Sequence, residues 1–190
     1  LPISFAENKV GAKRWLLLSA GGVGLSVLTK GMVGVVLVGG IVGLTLLGAR
    51  QGALLRRMPW ASALGLGLLV ALPWHVLAGA RNEGFCWDYV VNQHVLFFFD
   101  QKFPRDSLPD SLPVFWGAFL GRMFPWVAFL PGACWWALRQ AKETRELQYL
   151  LPVAWLGVAL GFFSLSPSRL EHYTIPTLPA VAVIMGQWWA

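Results

Sequence analysis

The stretch WLLLSAGGVGLSVLTKGMVGVVLVGGIVGLTLLGA, residues 15–49, is apolar except for Lys30 and a few hydroxyls. A single helix of that length would run about 50 Å at ~1.5 Å per residue, against a hydrocarbon core of ~30 Å. The only polar interruption, TKGMVG (29–34), carries two glycines. We therefore read two antiparallel spans, 15–29 and 32–49, joined by a tight tip that holds Lys30. The rest of the chain has the same texture. It is 56% hydrophobic and 13% charged, with 11 Trp and 12 Phe. Soluble domains carry about a quarter charged residues, so the bilayer is the expected solvent.

Further apolar runs predict spans at 59–78, at 114–138 with kinks at Pro125 and Pro131, at 149–165, and from 174 onward. The expected fold is all-α: a polytopic transmembrane helix bundle of about six spans, one domain over residues 1–190. A polar external loop, 80–112, interrupts it. Within that loop Tyr89, Val90, Leu96 and Phe97 are spaced as an amphipathic helix lying along the interface. The first residue is not Met and the last lie within an apolar run, which reads as a piece of a longer polytopic protein.

The net charge of +6 does not make a nucleic-acid surface, because the cations are scattered between apolar runs. Nine of them (Lys9, Lys13, Arg14, Arg50, Arg56, Arg57, Arg139, Lys142, Arg145) fall on one side of the expected topology. Five (Lys30, Arg81, Lys102, Arg105, Arg169) fall on the other. The more basic side is expected in the cytoplasm. Loop 80–112, net acidic through Glu83, Asp88, Asp100, Asp106 and Asp110, is then periplasmic or extracellular. Cys86 and Cys134 have no metal-ligand spacing, and the topology puts them near opposite faces. Neither a metal nor a cofactor is expected.

Three polar pieces share the outer face: Lys30 at the hairpin tip, loop 80–112, and the turn SRLEHY (168–173). Lysine supplies a point charge, arginine a donor fork and tyrosine a hydroxyl, a set suited to a lipid phosphate. The same residues also anchor helix ends at interfaces as a matter of routine, and composition does not decide between the two. Arg122, some eight residues into the fourth span, either faces the bundle interior or snorkels. His94 has no partner at ligand spacing; a general acid/base, a ligand and a structural hydrogen-bonding group are all open.

Four segments in register carry a resemblance: LTKG (28–31), ALPWHVLAGARNEGFCWDYVVNQHV (71–95), FPWVAFLPGA (124–133) and FFSLSPSRLEHYTIPTLPA (162–180). Together they resemble the polyprenyl-phosphate-sugar-dependent glycosyltransferases related to protein mannosyltransferases. The likeness is greatest to the bacterial branch of lipid A aminoarabinose transferases, in the glycosyltransferase C superfamily. The resemblance implies an inverting enzyme of a bacterial inner membrane that moves a sugar from a polyprenyl-phosphate carrier to a lipid, protein or glycan acceptor on the outer face. It implies that Tyr173, in the pattern Leu170-x-x-Tyr173-x-x-Pro176, lies beside the carrier phosphate, with Lys30 and Arg169 as its cations and His172 adjacent.

Two departures stand out. Where the family often has E-H-x-x-R-F, this chain has Gln93 for the acid and Phe97 for the arginine, and His94 alone matches. Arg105 is a candidate replacement cation. The family's catalytic carboxylate sits in a first external loop that these residues do not include, so the catalytic residue is unknown and this piece alone is expected to be inactive. The competing readings are a transporter, which would carry deep charges and internal repeats, and a non-catalytic subunit that binds a lipid carrier.

Overall fold

The structure, a computed structural model, describes residues 9–105 and 108–190, without the side chains of 9–12 and 57. Asp106 of the acidic loop, and the side chains of Lys9 and Arg57 from the charge count, lie outside that description. Among the described residues every regular element is helical. α1 (Lys9–Lys30) and α2 (Val33–Gly48) form the expected hairpin. A short α3 (Ala53–Arg57) leads to α4 (Trp60–Arg81). A three-residue α5 (Phe85–Trp87) runs into a π-helix (Asp88–Leu96). Then come α6 (Leu112–Arg122), a 3-10 turn (Trp126–Ala128), α7 (Leu130–Thr144) and α8 (Leu147–Leu165). A 3-10 helix (Glu171–Thr177) feeds α9 (Leu178–Trp189).

Two of these helices, α4 and α8, are long and apolar enough to cross a bilayer, and α2 is a shorter apolar helix. On α4, Leu64, Leu69 and Val76 are each at least 60% exposed, which hydrocarbon or further protein would relieve and water would not. α1 packs against α4 through small residues. At Gly24 a Cβ would lie 2.8 Å from the Gly67 carbonyl oxygen, so the two backbones approach as closely as helices can. Gly21 meets Leu66, and Gly24 meets Gly67 and Val70, so α1 and α4 run parallel. Gly40 faces Val158 and Gly48 faces Leu150, so α2 and α8 run antiparallel.

These registers sort the chain into two ends. At one, the Gln51 side-chain amide donates to the Arg145 carbonyl at 3.0 Å, and that of Gln187 to the Gln148 carbonyl at 3.0 Å. Arg50 and Arg145 belong to this end. At the other lie Lys30, the end of α4, the 82–111 connection and the turn after α8.

The core joins three helices. Phe115 and Phe119 of α6 and Met123 just past its end, at i, i+4 and i+8, pack with Leu156, Leu160 and Phe163 of α8 and with Ala180, Val181, Ile184 and Met185 of α9. A run of alanines, Ala133, Ala137 and Ala141, is the buried edge of α7, which lies against α8 and α9.

The fourth expected span is broken and not merely kinked. Pro125 lacks an N–H and disfavours helix at the residue before it, so α6 stops at Arg122. Pro131 sits in the first turn of α7, where its missing N–H costs nothing, and it starts a helix where the sequence reading expected a kink. The segment between runs along α9. Arg122 lies at its upper end, and the Trp126 ring meets Trp189, 5.3 Å between centroids, at the lower. The approach to α9 behaves likewise: Pro176 falls in 3-10 geometry, and Pro179 occupies the first turn of the helix.

Arg122 turns toward the 3-10 helix. Its guanidinium donates to Thr174 Oγ1 at 2.9 Å, to Glu171 Oε1 at 2.9 Å and to the Glu171 carbonyl. The ion pair fixes α6 to the segment that opens α9.

Three substitutions test this packing in the full-length protein. Ala137 is 0% exposed, so Ala137→Leu has no space to fill and should cost about 1–3 kcal/mol, read as a lower thermal unfolding temperature in detergent. Leu138→Ala, on the outward side, should change it little. Arg122→Met should speed amide hydrogen exchange in Glu171–Thr177 while leaving Val33–Gly48 as it was.

Candidate functional site

The 82–111 connection is tied to the bundle end by side chains that bond to main chain. Gly31 turns the hairpin with φ +74, and a Cβ there would lie 2.1 Å from His94 Nε2. The Met32 N–H donates to that Nε2 at 2.8 Å. The other ring nitrogen, Nδ1, bonds the Tyr89 carbonyl. The π winding makes this possible, because i→i+5 spacing stacks residue 94 over residue 89. Tyr89 donates its hydroxyl to the Val27 carbonyl at 3.3 Å, and burial pushes its phenol pKa up, so it remains a donor.

Behind this contact Asn92 is 2% exposed. Its amide donates to the Phe103 carbonyl at 2.6 Å and to Asp88 Oδ1 at 2.7 Å, and its oxygen accepts the Phe103 N–H at 3.0 Å. The Asn92 amide first, and then that of Gln93, hold the Asp88 carboxyl below its usual value. No feature of the sequence pattern distinguished Asn92 from its polar neighbours.

The turn after α8 takes the other half of the connection. Ser166 donates to the Phe98 carbonyl at 2.9 Å, and Ser168 to Asp100 Oδ1 at 3.3 Å. Arg105 pairs with the other Asp100 oxygen at 2.8 Å. Asp110 donates its N–H to the Arg169 carbonyl at 2.9 Å, and its carboxylate accepts the Glu171 N–H at 2.7 Å.

Arg169 is enclosed by oxygen. Its guanidinium donates to the carbonyls of Phe163 at 3.3 Å, Ser164 at 3.0 Å and Asp110 at 3.4 Å. Three of its five N–H groups are so used, leaving two. Among the described residues no carboxylate pairs with it, nor with exposed Lys30. Arg105 and Arg122, by contrast, are each neutralised by an acid. Tyr173 is half-buried, its ring 4.8 Å from that of Phe163, and the exposed His172 ring meets it edge-on at 4.8 Å.

The structure therefore gathers Arg169, His172 and Tyr173 in one turn, sets Asp100 and Arg105 beside it through Ser168, and joins Lys30's hairpin to the same loop through His94. The described contacts do not join Lys30 directly to Arg169 or Tyr173. The Arg122–Glu171 pair and the Asp110 clasp are site features the sequence reading missed. For Arg122 there was a signal, its expected depth; for Asp110 there was none beyond loop acidity. Four of the described acids at this end are engaged: Asp88 by amides, Asp100 by Ser168 and Arg105, Asp110 by a main-chain N–H, Glu171 by Arg122; Glu83, just past α4, is exposed. Among the described residues no group of three or more His, Cys, Asp or Glu is placed to hold a metal.

Comparison with known proteins supplies the relatives. No family model matches the chain. It is 31% identical over 184 residues to the undecaprenyl phosphate-alpha-4-amino-4-deoxy-L-arabinose arabinosyl transferase of Pseudomonas aeruginosa (strain UCBPP-PA14), spanning 90% of this chain and 30% of that protein. It is 30% identical over 178 residues to arabinosyl transferase 1 of the same description from Pseudomonas fluorescens (strain Pf0-1), spanning 91% and 29%. Among solved structures, the crystal structure of ArnT from Cupriavidus metallidurans bound to undecaprenyl phosphate superposes with a TM-score of 0.80 at 26% identity, over 95% of this chain and 32% of that one. The chain thus spans about a third of the length of the curated relatives it matches. The family resemblance carried by the four motifs holds: over nearly all of its length, the chain is homologous to a segment of the undecaprenyl phosphate-aminoarabinose arabinosyl transferases, members of the polyprenyl-phosphate-sugar-dependent glycosyltransferases.

Proposed function

We propose that the full-length protein is an integral membrane glycosyltransferase that moves a sugar from a polyprenyl-phosphate carrier to a lipid acceptor on the outer face of the membrane. The observation that carries this reading is the superposition, across 95% of the chain, on a transferase crystallised with undecaprenyl phosphate. On this reading the chain crosses a bacterial inner membrane six times: by α1, α2, α4, the broken path from α6 through α7, α8, and the 3-10 helix with α9. Loop 80–112 and the 166–173 turn then face the periplasm, and Arg50 and Arg145 the cytoplasm.

The chemistry is displacement at the anomeric carbon. The acceptor oxygen forms the new bond as the bond to the carrier phosphate breaks, and the electron pair leaves with the phosphate. A cation that is not already neutralised stabilises that leaving group best. Lys30, Arg169 and exposed Arg81 meet this condition among the described residues, and of these Lys30 and Arg169 belong to the hairpin tip and the 168–173 turn; Arg105 and Arg122 do not meet it without releasing Asp100 or Glu171. Tyr173, four residues after Arg169 in the same turn, adds a hydroxyl, and His172 is exposed next to it. We assign no catalytic base to this segment: Asp88, Asp100, Asp110 and Glu171 have internal partners, and no described contact brings exposed Glu83 to the 168–173 turn. The transporter alternative calls for deep charges, and the one cation expected at depth, Arg122, is paired with Glu171.

The test is to offer the full-length protein in lipid nanodiscs a panel of polyprenyl-phosphate sugars. Release of free polyprenyl phosphate with one of them supports the reading, and release with none sinks it. Lys30→Met should weaken binding of undecaprenyl phosphate roughly tenfold to hundredfold, the scale of a charge-assisted hydrogen bond. Tyr173→Phe should weaken it about fivefold. Lys30→Met should not lower the unfolding temperature. Arg169→Ala should lower both, because three carbonyls lose their donor.

A further inference from the structure

We propose that His94 is a positioning residue: a neutral imidazole, protonated on Nδ1, that sets the hairpin tip bearing Lys30. The proposal rests on the reading of Lys30 as a carrier-phosphate ligand. Four observations lead to it, and each limits what the ring can be.

The first is the direction of the bond to the hairpin. A main-chain N–H can only donate, so the Met32 N–H at 2.8 Å requires a lone pair on Nε2. The second is the bond on the opposite side of the ring. The Tyr89 carbonyl can only accept, so Nδ1 carries the hydrogen. Together they select one tautomer and exclude the imidazolium, whose Nε2–H would point at another N–H. The third is the space. Gly31, between Lys30 and Met32, leaves room for the ring that no other residue could leave, both through its φ of +74 and through the 2.1 Å gap to Nε2. The fourth is a second tie one helical turn before the tip, from the Tyr89 hydroxyl to the Val27 carbonyl.

The contacts explain why the imidazole does not serve as a ligand itself. Both ring nitrogens are spent on main chain, one on Met32 of the hairpin, 62 positions away, and one on Tyr89 of its own helix. Tyr89 lies edge-on to His94 at 4.7 Å, and His75 edge-on to Tyr89 at 4.6 Å on its other side. The ring is thereby held on one side by aromatics and on the other by the turn. Lys30, two residues before the bonded N–H, has no such restraint on its own side chain: it is exposed, and only its main chain is fixed. A long flexible cation loses less entropy on binding an anion when its anchor is already placed. His94 acts on the carrier through Lys30, not by contact.

The experiment uses the full-length protein in nanodiscs, titrated with undecaprenyl phosphate, alongside nitrogen NMR of histidine-labelled protein. In the wild type the signal lost on His94 substitution should be that of a neutral ring protonated on Nδ1. His94→Ala should weaken undecaprenyl phosphate binding about fivefold to tenfold, the scale of one lost hydrogen bond to a placed group. It should also speed amide exchange across residues 29–34. His94→Gln, whose side-chain oxygen reaches about as far as Nε2, should bind within about twofold of wild type. A protonated or Nε2-protonated ring overturns the proposal. So does wild-type affinity in His94→Ala when Lys30→Met has lost it, in which case the carrier reading stands and the latch falls. If Lys30→Met itself binds as wild type, the carrier reading falls, and the positioning role falls with it. An affinity in His94→Gln as poor as in His94→Ala, with both folded by thermal unfolding, removes the hydrogen bond as the cause.

Discussion

A thirty-residue polar connection laid over the end of an apolar bundle has to find partners for its main chain, and in this protein side chains provide several of those that its helix and turns do not. Asn92 closes on Phe103, Ser166 on the Phe98 carbonyl, Arg169 on three carbonyls and Asp110 on the Glu171 N–H. Each bond is worth about 1 kcal/mol net, but leaving its buried group unmet would cost more. The consequence is that the connection is part of the fold and not an appendage to it. The positions of Lys30, Arg169 and Tyr173 relative to one another are then set by contacts that themselves touch no ligand.

The cations at this end divide by what they do for the fold. Arg122 and Arg105 sit on carboxylates, and removing either would leave an acid unmatched. Arg169 spends three donors on neutral carbonyls, which orient the guanidinium without cancelling its charge. Carbonyl oxygens carry only partial charge, so an arginine held by them keeps most of its attraction for an anion. Lys30 keeps its charge by a different route, through exposure. The distinction between paired and unpaired cations separates structural from candidate binding residues more sharply than their places in the sequence did.

The helical hairpin, the α4 and α8 spans and the two-ended sorting of charge were all legible in the sequence, because each follows from the length and polarity of a run. Residues 15–49 could not form one helix, and they do not. The break at 123–129 was half legible. Pro125 announced a disturbance, but one proline looks the same whether it bends a helix or ends it, and the tertiary contact of Trp126 with Trp189 is invisible to periodicity. For the site, the sequence offered the residue types and the end of the bundle, while the partners decided the roles. His94 was open among three uses until its two nitrogens were seen to face a donor and an acceptor. Asn92 and Asp110 carried no mark, since an amide or a carboxylate in a polar loop is ordinary until it is known to be buried or clasped.

The nine residues from Asp88 to Leu96 wind as a π-helix, and such a segment holds one residue more per turn than an α-helix would accommodate. The winding is therefore a matter of count as well as of chemistry. A single deletion within it, with the winding kept, would swing everything beyond the deletion by roughly a quarter turn. Chains of this family that differ by one residue between Tyr89 and His94 would present a different side chain to the hairpin even if every residue type were kept, so spacing there deserves the same weight as identity.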